Sequence, residues 1–268
     1  MKNLLIITQR VDQKDDVLGF FHEWIREFSK RWNKVTVICL QLGEYHLPPN
    51  VKVLSLGKEK ELGTLYYLLN FYTYIWYERK NYNAVFVHMN PHYIPMGWPM
   101  WKMCGKTVSL WYAHGHVSRM LKIADALTDI VFTSTREGYR LKGREIKIVG
   151  QGIDVEKFKI QNSPASPRLS RGRAKFKTSK KVFKIISAGR ISPSKDYETL
   201  IKAVTELGNR GIKDFSVEIA GQPATESDTK YSIYLKSILD ERNLNDRVRF
   251  IGPIPNKNLP IFLNTGDL

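Results

Sequence analysis

The chain has 268 residues, of which 42 are Lys or Arg and 26 are Asp or Glu, so its formal net charge is +16. A hydrophobic fraction of 43% and a charged fraction of 25% are ordinary for a globular protein, and they exclude a disordered, collagen-like or disulfide-stapled chain. At about 100–200 residues per domain, this length predicts two domains, each large enough to bury a core.

Short apolar runs rich in Val and Ile recur along the chain. They are nearly continuous rather than alternating, as in strands that are buried on both faces of a parallel sheet. Between them, apolar residues at helical spacing predict amphipathic helices that begin near Val17, Leu200 and Tyr231. The predicted strands are, in chain order, 3–8, 34–40, 51–56, 84–88, 107–112, 129–134, 146–150, 182–189, 215–221 and 247–252.

The alternation of strands and helices occurs twice, so the predicted fold class is α/β with two Rossmann-like doubly wound domains. We predict an N-terminal domain over 1–150, a hinge and basic linker over 151–181, and a second domain over 182–268. The second domain has only three predicted strands, whereas a doubly wound sheet has about five or six. We therefore expect the second domain to be incomplete in this chain.

Targeting and redox signals are sparse. The apolar run near the amino terminus is about four residues long, too short for a secretory signal. The aromatic run 62–77 is shorter than a membrane span and contains Asn70 and Thr73, so it predicts a buried or interfacial helix. Cys39 lies in an apolar run and is expected to be a buried thiol, and Cys104 has no partner spacing typical of zinc sites. A reducing, cytoplasmic compartment fits this cysteine usage.

Residues 168–184 hold eight basic residues and no acidic one. Three interpretations are open: a solvated loop, a contact with an anionic membrane surface, and a contact with nucleic acid. The solvated loop is favoured and the membrane comes second. No zinc-finger, helix-turn-helix or RNA-binding signature accompanies the charge, so we expect no nucleic-acid partner.

The segment after the predicted strand 182–189 combines two cations with a helix start. Arg190 follows Gly189, a Ser/Pro loop carries Lys195, and a helix begins near Asp196. Ligands of open α/β sheets bind at the carboxyl ends of strands, and helix N-termini attract anions. Arg190 and Lys195 would therefore suit a diphosphate, the alternative being two solvated loop cations.

Several segments resemble the retaining GT-B glycosyltransferases of family 4. The sequence GRISPSKDYETLIKAV (189–204) is similar to the family segment whose Arg and Lys bind the diphosphate of a nucleotide sugar, although Asp196 replaces the usual Gly. GQGIDVEKF (150–158) is similar to the interdomain segment, with Gln151 in place of Asn, and VRFIGPIP (248–255) is similar to the donor-domain segment. For Arg190 and Lys195 the resemblance implies contact with the donor diphosphate. It also implies nucleotide contacts from Gly221, Ile251 and Ile254.

The N-terminal half is expected to bind the acceptor. The resemblance implies that His114 is catalytic and contacts the transferred sugar, although His116 lies close to it in sequence. Gly19, in the loop after the first strand, aligns weakly with a family glycine that approaches the donor phosphate. His88 and His92 are candidates to line the acceptor cleft, and a structural role is the alternative for each.

The aromatic segments 66–77 and 93–101 have three interpretations: an acceptor groove, an interfacial patch and domain core. Domain core is slightly preferred.

The implied function is sugar transfer from a nucleotide-diphosphate sugar to a glycan or lipid-linked acceptor with retention, in envelope polysaccharide or glycolipid synthesis. Neither a metal nor a further cofactor is expected, and the expected place is the cytoplasm, with peripheral attachment to the inner membrane face left open. The family's E-x7-E motif would follow Leu268, so we expect this chain to be an inactive fragment.

Rival interpretations are a non-catalytic protein that binds a membrane or a partner, and a nucleotide-sugar epimerase of GT-B shape. A dehydrogenase is disfavoured because the first strand is not followed by G-x-G-x-x-G.

Overall fold

The computed structural model describes residues 2–15, 17–159 and 182–268. The chain divides into two compact units, Met1–Ile153 and Asp154–Leu268. The division falls within the predicted hinge 151–181. The basic run 168–184 lies almost wholly outside the described residues, and its last member, Lys184, forms an ion pair with Glu218 at 2.7 Å between Nζ and Oε2.

The first unit is built on a seven-stranded sheet in which all neighbouring strands are parallel. The strand order is β3-β2-β1-β4-β5-β6-β7. Strands β2 and β3 are added on one side of β1 and strands β4 to β7 on the other, so the order of addition switches sides between β1 and β4. In open α/β sheets, ligands bind outside the carboxyl ends of strands at such a point. The strands are β1 Asn3–Val11, β2 Lys34–Leu42, β3 Val51–Ser55, β4 Ala84–His88, β5 Thr107–Trp111, β6 Ile130–Thr133 and β7 Lys147–Ile148.

Helices cover both faces of this sheet. Successive residues of β1 point to opposite faces: Leu4 and Ile6 pack with the α1 side, and Leu5 and Ile7 pack with the other three helices. This two-sided burial accounts for the continuous apolar runs of the central strands. The helices are α1 Gly19–Ser29, α2 Thr64–Tyr77, α3 Tyr93–Met103 and α4 Arg119–Leu127.

The second unit contains a three-stranded parallel sheet in the order β10-β9-β8. Val217 and Ile219 lie in the core that this sheet shares with its helices. The last two residues lie beside β8, because the Asp267 amide donates to the Lys184 carbonyl at 2.7 Å and the Ile186 amide donates to the Leu268 carbonyl at 2.8 Å. The elements are β8 Phe183–Ala188, α5 Tyr197–Asn209, β9 Phe215–Ala220, α6 Glu226–Glu241, β10 Val248–Gly252 and α7 Leu259–Leu263.

The predicted α/β fold class is confirmed, and every predicted strand is present with bounds that differ by a few residues at most. Cys39 is buried as predicted, and burial raises the pKa of its thiol to about 12. In the described part of the chain, no helix has both the length and the apolar composition needed to cross a bilayer.

The two aromatic segments have different environments. In α3, Ile94 and Trp101 are fully buried, so the preferred core interpretation fits 93–101. In α2 only Phe71 and Ile75 are buried, and most of the other aromatic and aliphatic side chains are exposed. The core interpretation therefore accounts for only one side of 66–77.

Candidate functional site

Three glycines mark the carboxyl edge of the sheet in the second unit. Gly189 follows β8, Gly221 follows β9, and Gly252 ends β10. The Gly189 amide donates to the Ala220 carbonyl at 2.9 Å, and the Gly221 amide donates to the Gly252 carbonyl at 2.8 Å. These bonds extend the backbone ladder past the strands, so the loops that follow start from a rigid edge.

Gly221 allows the loops after β8 and β9 to approach each other. Its φ is +149°, and a Cβ at this position would lie 1.8 Å from the Gly189 carbonyl oxygen. A side chain is therefore incompatible with the observed backbone on both steric and conformational grounds. This close approach brings the residue after Gly189, which is Arg190, next to the start of the β9 loop.

Arg190 and Lys195 are both exposed on the loop between β8 and α5. The loop is held by backbone bonds from Ile191 to Gln222 (3.2 Å) and from Lys195 to Ser192 (3.0 Å). The Lys195 side chain lies over Gly189, where a Cβ would be 3.4 Å from its Cε. Within the described ranges, neither cation forms an ion pair with a carboxylate, so both charges are available to an anionic ligand.

Asp196 stands at the position where the similar family segment has a glycine. Its φ and ψ are 50° and 51°, the left-handed region that glycine adopts without cost and that Asp and Asn adopt more readily than other residues. Its side chain also caps α5, accepting from the Thr199 amide at 3.4 Å and from the Thr199 hydroxyl at 2.8 Å. The exchange therefore preserves the turn and adds a helix cap.

The predicted nucleotide contacts lie on the same edge or close to it. Gly221 is half-buried at the end of β9, Ile251 is exposed in β10, and Ile254 is half-buried in the loop that follows. With Arg190 and Lys195 they all belong to the second unit. Their roles as donor contacts stay predictions.

His114 follows β5 in the first unit and is exposed. Its Nδ1 accepts a hydrogen bond from the His116 amide at 3.0 Å, and its own amide donates to the Gly138 carbonyl at 2.9 Å. Because Nδ1 is an acceptor, the neutral imidazole carries its proton on Nε2. His114 therefore presents an Nε2–H donor, and the neighbouring His116 holds its ring in that tautomer.

His88 has the surroundings of a core residue. It is 1% exposed, its ring stacks on Phe21 at a centroid distance of 3.9 Å, and its Nδ1 lies 3.2 Å from the Thr8 hydroxyl. Burial lowers the pKa of His88 to about 3. A structural role thus accounts for the position of His88, with no need for contact with a sugar acceptor.

The remaining two predicted residues lie at helix starts. His92 is exposed immediately before α3, and Gly19 is the first residue of α1, where its amide donates to the Asp15 carbonyl at 3.0 Å. The first turn of α1 contains no acidic residue. Neither residue is buried, and the roles of both stay predictions.

Sequence reasoning missed a polar group at the carboxyl ends of β1, β2 and β4. The Asn90 amide donates to Gln9 Oε1 at 3.1 Å, and the Arg10 guanidinium contacts both Asp15 and Gln41. These residues follow or end predicted strands beside the reversal of strand order. The sequence does show that these polar residues follow apolar runs, which places them at strand ends. It does not show which strands are neighbours, so it could not predict that these residues lie close together.

A groove of about 790 Å³ lies on the α1 side of the first sheet. Its lining is mainly aromatic and aliphatic, and it contains none of the predicted site residues. Aromatic residues that line it include Trp24, Phe28, Phe86, Trp111 and Phe132.

Comparison with known proteins supports the resemblance. Residues 170–268 match the family of glycosyl transferases group 1. Mannosylfructose-phosphate synthase from Agrobacterium fabrum is 26% identical over 153 residues, covering 57% of this chain and 33% of that protein. D-inositol 3-phosphate glycosyltransferase from Salinispora tropica is 26% identical over 158 residues, covering 54% of this chain and 32% of that protein. The match thus spans about a third of the length of these curated relatives.

Solved structures show the same fold. A glycosyltransferase from Rickettsia africae aligns with a TM-score of 0.65 and 11% identity over 97% of this chain and 70% of that one. WaaG, a glycosyltransferase involved in lipopolysaccharide biosynthesis, aligns with a TM-score of 0.59 and 12% identity over 99% and 73%. At these identities the similarity shows the GT-B fold alone.

The Asp196 cap generates the first prediction. Asp196→Ala removes the hydrogen bonds to Thr199. It also places alanine, which has no polar side chain to offset the cost of the left-handed region, at φ 50°. The first turn of α5 should become less stable by about 1–2 kcal/mol and exchange its amides faster. Hydrogen exchange measured by mass spectrometry on peptides of α5 checks this. Asp196→Asn is the matched control and should exchange almost as the parent does; equal exchange in the Ala variant would contradict the assigned cap.

The burial of His88 generates a pH prediction. Because the pKa of His88 is lowered in the folded state, the unfolded chain binds its proton more tightly, and stability is lost as the pH falls below about 6.5. Replacing it with Phe should make the loss between pH 6.5 and 4 less steep by about 1.4 kcal/mol per pH unit.

Urea unfolding followed by tryptophan fluorescence measures this slope, because all six tryptophans lie in the first unit. His22 is also buried with a lowered pKa, so some acid sensitivity should remain in the variant. The control His92→Phe alters an exposed ring and should leave the slope unchanged. A slope that His88→Phe does not alter would show that another group causes the acid sensitivity.

Proposed function

We propose that this protein, whose residues 170–268 match the group 1 glycosyltransferases, transfers a sugar from a nucleotide-diphosphate sugar to a hydroxyl of a glycan or lipid-linked acceptor. The observation that carries this proposal is the pair of exposed cations, Arg190 and Lys195, on a loop anchored beside the glycine edge of β8 and β9.

The chemistry of the leaving group explains why two cations suit this position. As the bond between the anomeric carbon and the phosphate oxygen breaks, the electron pair stays with the nucleoside diphosphate, which gains negative charge. Arg190 can bind a phosphate through its planar fork, and Lys195 supplies a compact charge. Fixed cations stabilise such developing charge without having to reorganise during the reaction.

The acceptor hydroxyl forms the new bond to the anomeric carbon, and its proton passes to the departing diphosphate oxygen, which gains negative charge as its own bond to that carbon breaks. His114 would lie against the transferred sugar and donate from Nε2–H to one of its oxygens, since Nδ1 is occupied by the His116 amide. In the second unit, Gly221, Ile251 and Ile254 are the proposed nucleotide contacts. In the first unit, Gly19 is a proposed contact of the donor phosphate and His92 a proposed contact of the acceptor.

Retention of anomeric configuration and a role in envelope polysaccharide or glycolipid synthesis are further parts of the proposal. The family 4 resemblance supports retention, and the fold shared with WaaG agrees with the envelope role. We place the protein in the cytoplasm, in agreement with its two free cysteines. We also propose that it meets lipid-linked acceptors at the inner face of the membrane.

The cation pair generates a binding prediction. Arg190→Gln and Lys195→Gln should each weaken the binding of UDP or GDP by about 10–100-fold, because each removes a charge-assisted contact with phosphate. Isothermal titration calorimetry on the purified protein measures this. Lys202→Gln is the matched control: it removes the same charge from an exposed position on α5 and should leave the affinity unchanged.

Equal losses in all three variants would indicate a general effect of net charge and would contradict the site. Failure of the parent to bind either nucleotide would contradict the proposed function. Product analysis with and without acceptor separates sugar transfer from epimerisation, and the anomeric configuration of the product reports on retention.

His114 generates a second functional prediction, based on its two ring nitrogens. Asn can replace the Nδ1 acceptor toward the His116 amide, whereas Gln can place an N–H near the position of Nε2. If Nε2–H donation to the sugar matters, His114→Asn should lower kcat for sugar transfer by about 10–100-fold and His114→Gln by less.

Steady-state kinetics with the nucleotide affinity measured in parallel checks this, because neither variant should alter diphosphate binding. The opposite order, with Asn retaining turnover and Gln losing it, would show that His114 acts only by holding its loop.

A further inference from the structure

Helix α2 is an unusual surface helix. Its 14 residues, TLYYLLNFYTYIWY, include no charged side chain. A helix that is apolar on all sides is normally buried in a core. In this protein only Phe71 and Ile75 are buried, so the helix presents a long uncharged face to solvent.

The inner side of α2 is well anchored. The Phe71 ring packs against Tyr93 and Trp101 of α3 at centroid distances of 5.3 Å and 6.3 Å. Asn70 donates from its side-chain amide to the Leu56 carbonyl at 3.0 Å. These contacts fix the rotation of the helix, so its outward face is set by the fold.

The outward face forms a continuous stripe. Leu65, Leu69, Tyr72 and Trp76 are spaced at i, i+4, i+7 and i+11 and therefore lie on one side of the helix. Leu65 is 68% exposed, Trp76 49% and the neighbouring Tyr77 74%. We call the exposed residues Leu65, Tyr66, Leu68, Leu69, Tyr72, Trp76 and Tyr77 the α2 face.

Positive charge gathers at the Trp76 end of this face. Glu78 is 5% exposed, and its carboxylate forms ion pairs with Lys52 at 2.5 Å and Lys34 at 3.9 Å. The Arg79 guanidinium lies over the Trp76 ring at 4.0 Å, and Lys80 is exposed. Two cations thus pair with the Glu78 carboxylate, and two more, Arg79 and Lys80, follow it directly in the chain. At the other end the charges balance, with Lys58, Glu59, Lys60 and Glu61 preceding the helix.

We propose that the α2 face is a docking surface for an anionic phospholipid bilayer, with the helix lying in the plane of the interface. Tyr and Trp are the side chains that favour this boundary, because their rings enter the apolar layer while their polar atoms stay hydrated. The leucines bury apolar area, and the cations at the Trp76 end meet lipid phosphates.

This inference rests on the proposed function only in its choice of an inner-membrane partner. It involves no residue of the proposed donor or acceptor site. It differs from membrane attachment through the basic run 168–184, because the α2 face binds through uncharged side chains as well as through charge. Removing apolar groups from α2 therefore tests it without changing the net charge.

The experiment measures co-sedimentation of the purified chain with phosphatidylcholine vesicles that contain or lack phosphatidylglycerol, in the absence of any sugar donor. The double variant Leu65→Ser/Leu69→Ser should lower the partition coefficient on phosphatidylglycerol vesicles by at least about tenfold. The matched control Ile233→Ser/Ile261→Ser removes two exposed apolar side chains from the second unit and should bind as the parent does. Unchanged circular dichroism verifies that each variant folds.

The opposite results are equally specific. Binding that both double variants retain would assign attachment to other residues and overturn the proposal. So would equal binding to vesicles without phosphatidylglycerol, or no binding at all. A parent that does not bind vesicles but dimerises, and whose dimer is lost in the α2 variant, would identify a second copy as the partner instead. Because no donor is present, none of these outcomes bears on sugar transfer.

Discussion

The placement of the loop that carries Arg190 and Lys195, the proposed diphosphate contacts, depends on one close contact between two stretches of main chain. Gly221 has no Cβ, and the Gly189 carbonyl oxygen occupies the space that a Cβ would need. The loop that carries Arg190 can therefore lie directly against the end of β9. The same edge has regular pairing of β8 with β9, backbone bonds between neighbouring strand ends, and two exposed cations on the loop. Geometry that main-chain atoms set is less easily altered than geometry set by side chains, which suits a site that orders a diphosphate.

Much of this fold could be predicted because its strands are buried on both faces. Runs such as NLLIIT and KVTVICL leave little ambiguity between a parallel strand and a surface strand, and both lie within observed strands. The loop with Arg190 and Lys195 could also be placed at a strand end, since a helix start follows it directly. The strand order was beyond reach, because apolar periodicity does not state which strands are neighbours. The cluster of Gln9, Arg10, Gln41 and Asn90 depends on that order.

Two other features depend on tertiary packing. The sequence of α2 is apolar on all sides, and composition alone favours burial, yet only one side meets α3. His88 ends a strand as a ligand-binding residue would, but Phe21 and Trp111 close over its ring. In both cases the deciding factor is which neighbour covers the residue. Hydropathy along a chain does not contain that information, and the two segments were accordingly harder to interpret than the strands.

Asp196 has an implication for how this loop can vary through descent. Glycine and aspartate codons can differ by a single base, so one mutational step separates Asp196 from the glycine of the similar family segment. A further single-base change converts aspartate to asparagine, which also tolerates φ 50° and can cap α5. Most other one-step neighbours of a glycine codon lack one or both of these properties. Position 196 can therefore change among glycine, aspartate and asparagine by single-base steps while the neighbouring Lys195 keeps its place in the loop.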